Sequence, residues 1–115
     1  MKYMLLIYTN PANWAALSED ARAGLNRDYG TFTQDIIASG EFVSGDPLAG
    51  IEAASTVRVR GGASDVTDGP FVETKEALGG YYLIEAADLD EALAIAKDVP
   101  ADHGGVEVRP IQVFG

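Results

Sequence analysis

The chain has 115 residues, a formal net charge of −10 at pH 7 and no cysteine. This length suits a single domain spanning residues 1–115 and is too short for two. The acidic charge disfavours binding to nucleic acids or anionic membranes, and the lack of cysteine excludes disulfides, thiol nucleophiles and thiolate metal sites.

The N-terminal segment 1–8 is apolar enough to be compared with a signal peptide. Asn10-Pro11 follows it, however, where a signal peptide would have small residues at a cleavage site. No apolar run approaches the roughly 18 residues that a membrane span needs. The sequence therefore predicts a strand over residues 2–8 and a cytoplasmic protein.

The first half of the chain has the pattern strand, helix, strand. Residues 9–14 are predicted to form a loop, in which Trp14 either anchors the loop to the core or lines the mouth of a pocket. Ser18 is a predicted helix N-cap, and Gly40 suits the end of the helix. A strand is expected at 41–45. The buried stripe of the helix is predicted to contain Ala21, Leu25, Tyr29, Phe32 and Ile36.

A hairpin is predicted between the two halves of the chain. Asp46-Pro47 and Gly50 mark a loop, after which residues 56–60 alternate, with valines on one face and Thr56, Arg58 and Arg60 on the other. Gly61-Gly62 supplies a turn, and residues 65–67 return as the second strand.

The second half repeats the strand, helix, strand pattern. A strand is expected at 80–86, and a capping-box pattern at 88–91 opens a helix that Pro100 ends. The last strand begins at Val106, with a bulge predicted at Arg109-Pro110. The buried stripe of this helix is predicted to contain Leu89, Ala92, Leu93, Ala96 and Val99.

Two strand-helix-strand halves around a hairpin predict an α+β fold, the ferredoxin-like split βαβ with an inserted hairpin. Both helices would cover the same face of the sheet. Since the other face has nothing in this chain to cover it, we expect a homodimer that buries it.

The stretch 65–82 combines turn signals with a dense group of charges. Asp68-Gly69-Pro70 predicts a tight turn with positive φ at Gly69. Glu73, Lys75 and Glu76 follow, and Gly79-Gly80 is expected to let the backbone turn sharply into the next strand. The stretch is either a polar connection between strands or part of a site.

The motif Asp68-Gly-Pro-Phe-Val-Glu-Thr-Lys-Glu76 resembles the signature of the DGPF proteins within the YCII-related family, with Val72 in place of the usual Ala. The similarity extends to residues 1–8, 88–92 and 107–110. The resemblance implies a ferredoxin-like fold that dimerises into an α+β barrel, and a mostly unassigned biochemical role. Similar proteins are often encoded beside extracytoplasmic-function sigma factors, so the resemblance also implies a functional link to such a factor.

Few residues suit catalysis or metal binding. With one histidine and no cysteine, the sequence predicts no functional metal site and no cofactor. His103 lies in a glycine-flanked loop and is interpreted as solvated, and adjacent Asp102 is not expected to orient it. Some members of the wider family are proposed to use a His–Asp pair, but their histidine does not match His103. The paired glycines are not a phosphate-binding loop.

The remaining candidate site is ionic, and it leaves two alternatives open. In the first, Arg109 or Lys75 pairs with a loop carboxylate and holds the turn in place. In the second, a pocket lies on the uncovered sheet face, rimmed by Tyr81 or Tyr82, with an arginine suited to a carboxylate ligand. The predicted ligand-binding residues are Asp68, Glu73, Lys75, Tyr81 and Arg109.

We expect Arg109 to be structural, donating hydrogen bonds to backbone carbonyls that the bulge leaves without partners. We expect Asp68 and Glu73 to face the cavity. Shielded from water, either carboxylate would have a raised pKa and could act as a general base. The function favoured by the sequence is small-molecule binding, as a ligand-sensing or accessory module. The alternative is an enzyme acting on a small organic metabolite, as dimeric α+β barrels often are.

Overall fold

The computed structural model describes residues 1–101 and 103–114. Six strands, three α-helices and a short 3-10 turn at Ile51–Ala53 make up this part of the chain. The strands are β1 (Lys2–Thr9), β2 (Phe42–Pro47), β3 (Ser55–Arg60), β4 (Ala63–Asp68), β5 (Ala77–Glu85) and β6 (Gly105–Pro110). The helices are α1 (Pro11–Ala16), α2 (Glu19–Ala38) and α3 (Leu89–Lys97).

Four of the strands form one antiparallel sheet in the order β2-β5-β1-β6, and β3 and β4 form a separate hairpin. The two central strands are the first strands of the two halves, and each outer strand is the last strand of one half. This is the order of a ferredoxin-like split βαβ. The α+β, ferredoxin-like class predicted from the sequence is therefore confirmed.

The core lies between the sheet and α2 and α3. Alternate residues of β1 (Tyr3, Leu5 and Ile7) are buried on this face, and Leu5 is fully inaccessible. Met4 and Leu6, together with Leu83 of β5, point to the opposite face and are half-buried. We call this second, helix-free surface the open face. The other buried apolar residues are Phe32, Ile36, Tyr82, Ile84, Ala86, Ala92, Ile95 and Val99.

Local capping signals set both ends of α2 and the start of α3 as predicted. The Ser18 hydroxyl accepts a hydrogen bond from the Ala21 backbone N–H at 3.1 Å, and Gly40 follows α2 with a φ of +83°. The Asp88 side chain accepts from the Glu91 backbone N–H at 2.9 Å. These bonds satisfy amide groups that helix starts leave without an intrahelical partner.

The loop prediction for residues 9–14 is wrong, because the short helix α1 begins at Pro11. Asn10 is its N-cap, and the side-chain oxygen of Asn10 accepts from the Ala12 backbone N–H at 2.9 Å. Pro11 occupies the first helical position, where its missing N–H costs nothing. Asn-Pro thus acts as a helix start, although the same pair also occurs in turns.

Three other local predictions need correction. α3 buries Ala92 and Ile95, and Val99 is buried just beyond its end, whereas Leu89 and Leu93 are exposed. The β1–β6 register runs without a shift, so the bulge predicted at Arg109-Pro110 is absent; β6 is an edge strand, where proline is tolerated. Gly79-Gly80 lies inside β5, and the register shift against β1 at Ile7/Tyr8 leaves Gly79 without an opposite residue.

The β3–β4 hairpin does not join the main sheet. In an ordinary amphipathic sheet the valine face is buried and the polar face is exposed, whereas in this hairpin the valine face is exposed. Val57 and Val66 face each other across the strands and are exposed, as is Val59. Thr56, on the other face, is 7% exposed because segment 69–71 covers it. The described chain is flat, with extents of 48 × 45 × 18 Å.

Candidate functional site

A cavity of about 1080 Å³ lies between α1, α2 and the end of the sheet where β1 finishes and β5 begins. The segment 45–52 forms another wall, and His103 borders the cavity from the loop before β6. The backbone N–H of Leu48 donates to the carbonyl of Gly79 at 2.8 Å and so ties this segment to β5. An apolar cleft with a few converging polar groups is the usual form of a small-molecule site.

Three residues of α2 and β5 form a hydrogen-bonded chain in the cavity wall. The Thr33 hydroxyl donates to the Tyr29 carbonyl oxygen at 2.8 Å, and its oxygen lies 2.7 Å from the Tyr82 hydroxyl. Because a threonine hydroxyl carries only one proton, which goes to Tyr29, the Tyr82 hydroxyl must donate to Thr33. The lone pairs of the Tyr82 oxygen therefore stay available as acceptors.

Neighbouring aromatic side chains hold the Tyr82 ring in place. Phe32 and Phe42 pack against it edge to face, with centroids 5.2 Å and 6.4 Å away. Gly45 of β2 permits this position: a Cβ at that residue would come within 2.6 Å of the Tyr82 ring. The sequence therefore needs glycine at position 45 for close approach.

Tyr29 supplies a second phenol to the cavity. Burial, and to a smaller degree the proximity of Tyr82, raises the pKa of the Tyr29 hydroxyl above its ordinary value of 10.0. Burial disfavours the phenolate, so Tyr29 remains a neutral group that can donate as well as accept. Its hydroxyl has no hydrogen-bond partner among residues 1–101 and 103–114.

Tyr81 also borders the cavity, and its hydroxyl donates to Asp46 Oδ2 at 3.0 Å. This hydrogen bond, followed by the negative charge of Asp46, raises the pKa of Tyr81. Asp46 and Tyr81 sit opposite each other in the β2–β5 register, which is what brings the two side chains together. Tyr81 was predicted from the sequence as a ligand-binding residue. It borders the cavity, but its hydroxyl already donates to the Asp46 carboxylate.

Trp14 lies at the wall formed by α1 and is 42% exposed. The guanidinium of Arg22 lies 5.6 Å from the centre of the Trp14 ring and donates to the carbonyls of Trp14 and Ala15 at 3.1 Å and 2.9 Å. Of the two roles predicted for Trp14, the structure supports the position beside a pocket.

The signature turn is a separate, mostly structural assembly. Gly69 has a φ of +99°, as predicted. Its N–H donates to the Ala54 carbonyl at 2.8 Å, and its carbonyl accepts from the Thr56 hydroxyl at 2.7 Å. Arg58 donates to the Thr67 hydroxyl at 3.2 Å and lies 5.3 Å from the centre of the Phe71 ring. These contacts fasten the turn to β3.

The predicted ionic residues are dispersed. Asp68 ends β4, Glu73 and Lys75 lie in the irregular segment before β5, and all three are exposed. Arg109 lies in β6 opposite Met4. Within the described ranges none of the four forms a salt bridge, and none borders the 1080 Å³ cavity. The predicted site roles of these residues, and the predicted pocket on the open face, stay predictions.

Sequence reasoning missed the cavity residues Tyr29, Thr33 and His103. Tyr29 was included in the predicted stripe of α2 as a core residue, and nothing in a helical period separates core from cavity wall. His103 was interpreted as solvated; it is exposed, borders the cavity and has a positive φ of 55°. Asp102, its neighbour in sequence, lies outside the described residues.

No group of three or more His, Asp or Glu side chains in residues 1–101 and 103–114 is arranged so as to hold a metal ion. Among the same residues, no helix is both long enough and apolar enough for a membrane span.

Comparison with known proteins identifies the family. The model of the YCII-related domain matches residues 1–115. The chain is also 36% identical over 117 residues to a protein of Rhizobium meliloti (strain 1021) that is described as uncharacterized, and the match covers 99% of this chain and 94% of that protein. On the domain match and this relative, together with the ferredoxin-like sheet, the chain belongs to the YCII-related family.

Proposed function

We propose that this protein binds a small organic molecule in the cavity between α1, α2 and the sheet. The observation that carries the proposal is the cavity itself, about 1080 Å³ with two tyrosines, Tyr29 and Tyr82, whose hydroxyls have hydrogen-bonding capacity left over. These hydroxyls can hydrogen-bond a ligand in a cleft whose lining is otherwise mostly apolar, which is the usual form of a small-molecule site.

The test uses a variant that fills the cavity without disturbing the fold. Gly30 of α2 borders the cavity, and a Cβ placed there has no atom within 4 Å. Gly30→Leu should therefore block the cavity and slightly favour the helix. Gly24→Leu is the matched control, since Gly24 is on the same helix, does not border the cavity, and a Cβ would meet only the Arg27 side chain at 3.6 Å.

Ligands would be found by screening neutral, cationic and anionic ring compounds for a rise in melting temperature, with titration calorimetry on the hits. Trp14, the only tryptophan, gives a fluorescence signal at the cavity wall. We expect hits to bind the parent and Gly24→Leu alike and to lose at least tenfold in affinity for Gly30→Leu. Hits that bind all three equally would place the site elsewhere.

We further propose, from the resemblance of the signature to DGPF proteins, a cytoplasmic ligand-sensing or accessory module with a functional link to an extracytoplasmic-function sigma factor. We also propose that two copies pair through the open face to form a dimeric α+β barrel. Support for pairing comes from Met4, Leu6 and Leu83, apolar residues on a face without helices.

The second candidate function is an enzyme with Asp68 or Glu73 as general base. Both are exposed in the single chain and lie outside the cavity wall, so a catalytic role requires another part of the assembly to bring substrate to them. If Asp68→Asn abolishes turnover of a cavity ligand and leaves its affinity intact, the enzyme is favoured. If the parent does not turn over any ligand that it binds, the binding function stands alone.

A further inference from the structure

We propose that the cavity selects small molecules without negative charge, favouring amines over the corresponding carboxylates. This inference rests on the proposed function and names the class of ligand for the same site. It differs from the sequence-based expectation, in which an arginine would receive a carboxylate.

The charged residues of the cavity wall are all acidic. Asp46 and Glu52 border the cavity, and of the described residues that line it none is Lys or Arg. A carboxylate entering such a cavity loses hydration and gains no countercharge, which disfavours it strongly. The chain as a whole carries a net charge of −10, so the long-range field acts in the same direction.

Arg22 contacts two residues of the cavity wall but does not supply the missing positive charge. It is not part of the cavity wall, and its guanidinium is held by the backbone carbonyls of Trp14 and Ala15 and by the Trp14 ring. A guanidinium that already donates to two carbonyls of α1 has fewer N–H groups left to bind an anion. The remaining nitrogen base on the wall is His103, which the experiment below tests directly.

The Tyr82 hydroxyl fits a hydrogen-bond donor on the ligand, whereas the neutral Tyr29 hydroxyl, which can donate as well as accept, suits either kind of ligand. The Tyr82 hydroxyl spends its proton on Thr33 and can only accept from a ligand. The carboxylate of Asp46 is engaged by the Tyr81 hydroxyl and contributes its negative charge at the border of the cavity. An ammonium group or an alcohol supplies a proton to the Tyr82 oxygen, whereas a carboxylate has none.

The experiment measures three ligands that share one ring system: 2-naphthylmethylamine, 2-naphthylmethanol and 2-naphthoate. Affinities are obtained by titration calorimetry for the parent, Gly30→Leu, Asp46→Asn/Glu52→Gln and His103→Gln. We expect the amine and the alcohol to bind the parent at least tenfold more tightly than the carboxylate. Removing both wall carboxylates should shrink the amine-to-carboxylate ratio about tenfold, because two nearby charges are lost.

The possible outcomes distinguish failure of the ligand-class inference from failure of the proposed function. Carboxylate binding equal to or tighter than amine binding, sensitive to Gly30→Leu, would overturn the inference and leave the proposed function standing. A carboxylate site that disappears in His103→Gln would likewise overturn it. If Gly30→Leu weakens the binding of none of the three probes and of none of the screened ring compounds, both the proposed function and the inference fail.

Discussion

The signature turn offers the sharpest test of how the motif at 68–76 works. Gly69 has a φ of +99°, and a Cβ there would have no neighbour within 4 Å, so the cost of Gly69→Ala is conformational and not steric. Holding a non-glycine residue in a left-handed conformation costs about 1–2 kcal/mol. Both backbone groups of Gly69 are bonded, to Ala54 and Thr56, so the turn cannot relax without losing those hydrogen bonds.

The expected shift in melting temperature follows from the chain length. An unfolding entropy of about 2.1 cal/mol/K per residue gives roughly 0.24 kcal/mol/K for this chain, so 1–2 kcal/mol corresponds to about 4–8 °C. Urea unfolding monitored by circular dichroism should give the same free-energy loss. Gly105→Ala is the control, because its φ lies outside the left-handed range and its Cβ also has open space; it should change stability by less than about 0.5 kcal/mol.

This variant also separates a structural motif from a binding one. Gly69 does not border the cavity, so Gly69→Ala should keep the affinity for a cavity ligand that the parent has. A melting temperature equal to that of the parent would refute the conformational argument. Loss of ligand affinity in a variant that remains folded would place the signature turn in the site.

The other predictions concern the turn anchor, the cavity phenol and the open face. Thr56→Val keeps the side-chain shape, removes the hydroxyl that donates to Gly69, and should cost about 1 kcal/mol in urea unfolding; no loss would show that the bond is not stabilising. Because the pKa of Tyr29 is raised in the folded state, its stabilising effect is present below the unfolded value near 10 and is lost as pH rises further. Tyr29→Phe should therefore make the decline in stability above pH 10 shallower, and an unchanged slope would contradict this sign. Leu83→Glu on the open face should turn the proposed dimer, with an interface on the order of 2,000 Å², into monomers by light scattering, while Leu93→Glu on exposed helix surface should not. A parent that is already monomeric at micromolar concentration would end the dimer proposal.

Local signals were sufficient for most of the fold. Ser18 and Gly40 mark the ends of α2 because a cap bond and a left-handed C-terminal residue involve only neighbouring residues. The apolar run in β1 and the two strand-helix-strand halves indicated the sheet and its class. The positive φ of Gly69 was also predictable, since Asp-Gly-Pro restricts the backbone within three residues.

Local signals failed where burial depends on what another part of the chain does. Valines are expected on the inner face of a strand, yet in the β3–β4 hairpin Val59 is 71% exposed and Thr56 is covered, because segment 69–71 folds over the polar face. In α3 the buried stripe includes Ile95 in place of Leu93, because the angle at which the helix meets the sheet is a property of the packed pair.

The cavity is the part that only tertiary structure decided. Tyr29, Asp46, Tyr82 and His103 come from α2, β2, β5 and the loop before β6, and no spacing in the sequence links them. The charges that stand out in the sequence, Asp68 through Glu76, are close together along the chain and remain exposed because no described element packs over them. Proximity in sequence determines turns and caps, whereas a binding cavity depends on which faces of distant elements come together and how completely they fill the space between them.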